Sequence, residues 1–151
     1  MFLTRFLRYW LPVLLWVFLI FGASTGVGSA QRTSRIIGPL LLWLFPDMPH
    51  ETRIIIHVAI RKCAHVVEYA VLSFLIWRGL FQPLRGNPKP WAWPLAGWAV
   101  LICAILASLD EFSQSFWDSR LGTPYDVVID TIGASLGIIC VWSIGRIRKR
   151  W

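Results

Sequence analysis

Apolar segments of this chain carry side chains that can exchange protons or bind cations. The candidate acid/base residues are His65, Glu68, Asp110, Glu111 and Asp130. Imidazole titrates near neutral pH and a neighbouring carboxylate can hold its tautomer, so His65 with Glu68 suits general acid–base catalysis. Ionisable residues inside membrane spans are rare and usually have a functional or a packing role. The residue types therefore predict an acid/base cluster.

A second group of side chains is suited to hold a ligand beside these residues. Its members are Arg61, Lys62, Tyr69, Gln114, Arg120 and Asp126. Arginine and lysine bind phosphate and carboxylate groups, so the basic members predict a rim for an anionic ligand. The sequence has no HExxH motif and no zinc-type spacing of cysteine and histidine. It therefore indicates no metal site and identifies no cofactor.

Helical spacing predicts which of these residues face the same way. Asp126, Asp130, Gly133 and Gly137 lie at i, i+4, i+7 and i+11, within about 60° on one side of a helix. Gly133 and Gly137 also form a GxxxG motif, which lets a neighbouring helix approach closely. We therefore expect this helix to pack against the second or third span and to bring both aspartates into the interior of the bundle.

The composition is that of a membrane protein. The chain has 151 residues, of which 56% are hydrophobic, and a membrane span needs about 20 mostly apolar residues. We expect a single domain, residues 1–151, with spans at about 8–24, 60–81, 91–111 and 126–145. The apolar run Ile36–Phe45 is too short to span, so it predicts an interfacial or re-entrant segment in the first outer loop. The predicted fold class is an all-α membrane protein with four transmembrane helices.

The charge distribution predicts the orientation of these spans. One side of the membrane would hold nine Lys and Arg residues without an acid, and the other would hold six with all eight Asp and Glu residues. The positive-inside rule then places the N- and C-termini in the cytoplasm. The positive charge lies at span ends rather than in one stripe, so we expect no nucleic-acid partner. Cleavage of a signal peptide near Gly28-Ser29-Ala30 is the alternative; it would leave three spans, and we favour an uncleaved first span.

Three segments of the chain resemble the paired motifs of the VanZ-like family. They are RKCAHVVEYAVL at 61–72, DEFSQSF at 110–116 and DVVIDTIGASLG at 126–137, with Arg120 between the last two. The founding member of that family is associated with resistance to the glycopeptide antibiotic teicoplanin. The resemblance implies a multi-pass protein of the bacterial inner (cytoplasmic) membrane with about four spans and an unsettled molecular activity.

Each polar residue also has a purely structural interpretation. His65 and Glu68 would then join helices by a hydrogen bond, and Asp126 would cap the fourth span. Asp110 and Glu111 would form a solvated helix end. The helix dipole disfavours acids at that end, so a neighbouring cation or a bound metal would have to offset it. Asp130 lies one turn deeper in the membrane than Asp126, so it needs a partner under either interpretation.

Three functions stay open at this level. The first is a membrane enzyme that acts on a lipid or lipid-linked cell-wall molecule. The second is a non-catalytic accessory protein that binds envelope lipids or glycopeptides. The third is a proton-coupled carrier, against which the lack of a visible internal repeat argues. The expected partners are membrane lipids and either a lipid-linked envelope ligand or a glycopeptide.

Overall fold

The computed structural model describes residues 2–24, 30–81, 91–116 and 123–151. These residues form six α-helices and no strand. The helices are α1 (Phe2–Tyr9), α2 (Leu11–Ser24), α3 (Ala30–Leu44), α4 (His50–Phe81), α5 (Trp93–Gln114) and α6 (Pro124–Ile147). The predicted all-α class is therefore confirmed for the described part of the chain.

Within the described ranges, three helical segments are long and apolar enough to cross a membrane. They are Leu3–Ser24, which joins α1 and α2, and the helices α5 and α6. Helix α4 covers the span predicted at about 60–81 but is not among them, and it mixes apolar residues with charged ones such as Arg61, Lys62 and Glu68. It has 32 residues and begins at His50, ten residues earlier than predicted.

The short apolar run in the first outer loop belongs to a longer helix than its hydropathy indicates. Helix α3 has 15 residues and includes Pro39, and it ends at Leu44, two residues before Pro46. Its residues Leu40, Trp43 and Leu44 expose more than half of their surface, whereas another side of α3 packs against α4.

Among the described helices, α4 and α6 make the most extensive contact. A methyl group at Gly133 would lie 2.6 Å from the carbonyl oxygen of Val66, and Gly137 faces Ala70 in the same way. The contacting residue numbers rise together along both helices, so α4 and α6 run parallel. The GxxxG motif therefore packs against α4, because glycine lets the two backbones approach.

Helix α5 runs in the opposite direction, and aromatic rings gather where it begins. Trp77 of α4 stacks on Trp91 at 5.1 Å between ring centroids, and Trp93 lies 5.8 Å from Trp142 of α6. Trp151 packs edge-on against Trp77 at 5.8 Å. This aromatic end of the bundle lies opposite the end at which α5 finishes and α6 begins.

Candidate functional site

The polar side chains His65, Asp110, Glu111 and Asp130, with Tyr69 and Gln114, are buried or half-buried and form one group, which we call the polar cluster. Its central contact joins His65 and Asp130. His65 Nδ1 lies 3.3 Å from Asp130 Oδ1, and the Asp130 side chain is fully buried. The close packing of α6 on α4 at Gly133, one turn beyond Asp130, makes this short distance possible. The charge of Glu68, the partner considered from sequence, also acts on His65. The direct ion-pair contact of His65, however, is with the aspartate of α6.

The two acids at the end of α5 are buried in the bundle rather than solvated. Asp110 is 0% exposed and Glu111 is 6% exposed. Asp110 Oδ2 accepts hydrogen bonds from Ser24 Oγ at 2.6 Å and Gln114 Nε2 at 2.9 Å. The amide of Gln114 also donates to Glu111 Oε1 at 3.2 Å. The interpretation of Asp110 and Glu111 as a solvated helix end is therefore wrong, and these three bonds come from neutral donors.

The start of α6 is tied to both neighbouring helices. Thr123 is the N-cap: its hydroxyl accepts from the Asp126 N–H at 3.3 Å, and its own N–H donates to Glu111 Oε2 at 2.9 Å. Lys62 of α4 lies 3.1 Å from Asp126 Oδ1, with both side chains partly exposed. The expectation that Asp126 itself caps α6 is wrong, because Thr123 holds that position and Asp126 lies in the first turn.

Several buried oxygen atoms of the cluster have no protein partner. Within the described residues, Asp130 Oδ2, Asp110 Oδ1 and the Tyr69 hydroxyl are buried and make no hydrogen bond. Buried polar atoms are normally paired, and an unpaired one is energetically costly. The cluster therefore contains hydrogen-bonding capacity that its own residues do not use.

Two predicted ligand-binding residues, Arg61 and Arg120, remain to be placed relative to the His65–Asp130 contact. Arg61 is half-buried on α4, one turn before His65. Arg120 lies outside the described residues. Among the residues that are described, no group of three or more His, Cys, Asp or Glu side chains is placed to hold a metal ion.

Three residues of the site were not singled out from sequence. Ser24 donates to Asp110, Thr123 caps α6, and Trp16 Nε1 donates to the Glu68 carbonyl at 2.9 Å. A recognisable signal marks only Thr123, because a threonine followed by proline is typical of a helix start. A serine or tryptophan in an apolar segment does not reveal its distant partner.

A known protein family matches most of the length of this chain. A family profile described as VanZ/LLP1 matches residues 9–146, which include every described residue of the polar cluster. No curated protein and no solved structure matched the chain. Because the profile covers far more than half of the sequence, the chain belongs to the VanZ/LLP1 family.

Proposed function

We propose that this protein crosses the bacterial cytoplasmic membrane four times, with α4 as the additional span. The hydrogen bond from Ser24 to Asp110 puts the C-terminal ends of α2 and α5 on the same side. Helix α5 begins at the opposite, aromatic end, so the chain has to cross between α2 and α5. Helix α4 is the element available for that crossing. It runs from the level of His65 to Trp77, which stacks on Trp91 just before α5.

The same arrangement supports cytoplasmic termini. Arg8 and the basic residues 146–150 lie at the aromatic end of the bundle, as Arg78 Nη2 donates to the Arg8 carbonyl there. Positive residues favour the cytoplasmic side. The polar cluster then lies toward the outer face, where Lys62 and Asp126 are partly exposed.

In this proposal the cluster binds and acts on an envelope lipid or a lipid-linked ligand. The observation that carries it is the His65–Asp130 contact at 3.3 Å beside unpartnered buried oxygens of Asp110, Asp130 and Tyr69. His65 and Asp130 would transfer a proton to or from a polar group of the ligand, since an imidazole held by a carboxylate suits general acid–base chemistry. Lys62 and the neighbouring Arg61 would attract an anionic headgroup.

A non-catalytic accessory protein is the second candidate, and a specific observation favours it. Ser24, Gln114 and Thr123 donate hydrogen bonds to Asp110 and Glu111, and two of these bonds connect different parts of the chain. Such bonds hold helices together in membranes. On this view the cluster fixes a surface that alters the access of glycopeptides or envelope lipids. A proton-coupled carrier remains the least supported candidate.

Teicoplanin susceptibility of a Gram-positive host tests the site. The strains would express wild type, His65→Ala, Glu68→Gln, Asp110→Asn or Asp130→Asn at membrane levels matched by blotting. Asp47→Asn is the matched control, because this acid is exposed in the turn between α3 and α4. We expect protection by wild type and the control, and loss of protection in His65→Ala and Asp130→Asn.

Lipid profiling of the same strains separates the two candidates. An enzyme should change the amount of a lipid or lipid-linked product, and Asp130→Asn should abolish that change. A binding surface should protect without any new product. If wild type neither protects nor alters the lipids at verified levels, the proposed role in the envelope is wrong for this chain.

A further inference from the structure

The N-terminal part of α4 projects beyond the polar cluster. Lys62 contacts Asp126 in the first turn of α6, whereas α4 begins at His50, twelve residues earlier. At 1.5 Å per residue, this part extends about 18 Å along α4 beyond the contact between Lys62 and Asp126. It packs against α3, and the two helices form a cavity of about 230 Å³.

This cavity combines basic and apolar walls. Its α4 side is lined by His50, Arg53 and His57, which share one helical face at i, i+3 and i+7. Its α3 side is lined by the apolar residues Ile37 and Leu41. Among the described residues that line the cavity, none is acidic. The wall therefore complements a ligand that has negative charge and an apolar part.

Two buried nitrogen atoms of the residues in this wall lack a protein partner in the described part of the chain. They are Arg53 Nε and His57 Nε2. Guanidinium presents planar donors that match phosphate oxygens, and imidazole offers at least one N–H in either charge state. Leaving the buried Arg53 Nε–H unpaired is costly, so a side-chain shift that brings it to an oxygen atom of an anionic group would be favourable.

The surroundings of the cavity indicate a ligand that comes from the lipid bilayer. Trp43 of α3 is 77% exposed and Ile55 of α4 is 68% exposed. Apolar surface of this kind on a membrane protein is suited to contact acyl chains. The cavity is smaller than the roughly 300–1,000 Å³ of pockets that enclose a whole drug-sized ligand. It fits a headgroup whose acyl chains lie outside, along the exposed apolar side chains.

We propose that the cavity between α3 and α4 binds the phosphate headgroup of an anionic phospholipid through Arg53, His50 and His57. Arg53 binds the phosphate. His50 and His57 lie on either side of Arg53 along α4. This binding does not depend on acid/base chemistry at the polar cluster. Arg61 and His65 follow His57 at steps of four residues, so a headgroup site here lies about 12 Å from His65 along the axis of α4.

Photolabelling of the purified full chain in detergent tests this assignment. The probe is a short-chain phosphatidylglycerol with a diazirine in its acyl chain, and labelled peptides are mapped by mass spectrometry. We expect saturable labelling of α3 and the first three turns of α4. Dihexanoylphosphatidylglycerol should compete for this labelling, whereas dioctanoylglycerol, which lacks phosphate, should not.

Variants assign the phosphate contact to the cavity. Arg53→Gln should weaken competition by dihexanoylphosphatidylglycerol about tenfold, because a charge-assisted bond is lost. His57→Gln provides a second test if Arg53→Gln does not give a monodisperse protein. Arg146→Gln is the matched control, since this arginine is exposed near the end of α6, and it should bind like wild type.

Four results would overturn the proposal. Labelling that does not saturate would mean that the lipid only dissolves in the apolar surface. Equal competition by dioctanoylglycerol would mean that phosphate is not recognised. Competition by inorganic phosphate at the same concentration would identify a free-anion site instead of a lipid site. Wild-type affinity in both Arg53→Gln and His57→Gln would mean that the basic side chains of this cavity do not bind the lipid.

Discussion

Replacing Gly133 with alanine should force α4 and α6 apart. The new methyl carbon would lie 2.6 Å from Val66 O and 2.8 Å from Val66 Cα, whereas ordinary contacts begin near 3.4 Å. Both obstructing atoms belong to the backbone, so no side-chain rotation can relieve the clash. The helices must separate locally by about 0.8 Å. Overpacking of this kind costs about 1–3 kcal/mol of folding free energy.

The same movement should disturb the polar cluster. Val66 follows His65 directly in α4, and Gly133 lies one turn after Asp130 in α6. A local separation of about 0.8 Å would lengthen the 3.3 Å contact between His65 and Asp130 to about 4 Å. The electrostatic attraction between an imidazole and a carboxylate weakens as the two groups move apart. Gly133→Ala should therefore lower both stability and any activity that depends on this pair.

Thermal unfolding in detergent, followed by size-exclusion chromatography, measures the loss of stability. Gly97→Ala is the matched control, because a methyl group at Gly97 of α5 meets no atom within 4 Å. That variant should be as stable as wild type or slightly more stable, since alanine favours the helix. If Gly133→Ala unfolds at the same temperature as Gly97→Ala, the close contact between α4 and α6 does not exist as described.

Two further predictions concern the hydrogen bonds and ion pair around the site. Ser24→Ala removes a donor to a buried carboxylate of α5 and should destabilise the protein by about 1–3 kcal/mol. In the same unfolding assay Ser108→Ala, which alters an exposed serine of α5, should change stability by less than about 0.5 kcal/mol; equal effects would contradict the role of Ser24. Lys62→Met breaks a partly exposed pair with Asp126 and should cost less than about 1 kcal/mol. A larger loss in a double-mutant cycle with Asp126→Asn would mean that this pair is shielded from solvent.

The sequence by itself determined the long apolar helices and part of their facing. Apolar length predicted the segments that became α5 and α6, because a helix rises by a fixed 1.5 Å per residue. The spacing of Asp126, Asp130, Gly133 and Gly137 predicted one buried stripe. Asp130 and the two glycines are buried, whereas Asp126 is partly exposed. Such features depend only on neighbours within a few turns, so they can be read from a single chain.

The tertiary structure alone decided which polar groups meet. His65 contacts Asp130 of α6, although Glu68 of its own helix was the partner considered from spacing. Ser24 reaches Asp110 across 86 positions, and the cavity beside Arg53 exists only where α3 lies against α4. Helical periodicity fixes the direction in which a side chain points, but not the helix that packs there. That choice depends on how all the helices pack together, which no local pattern records.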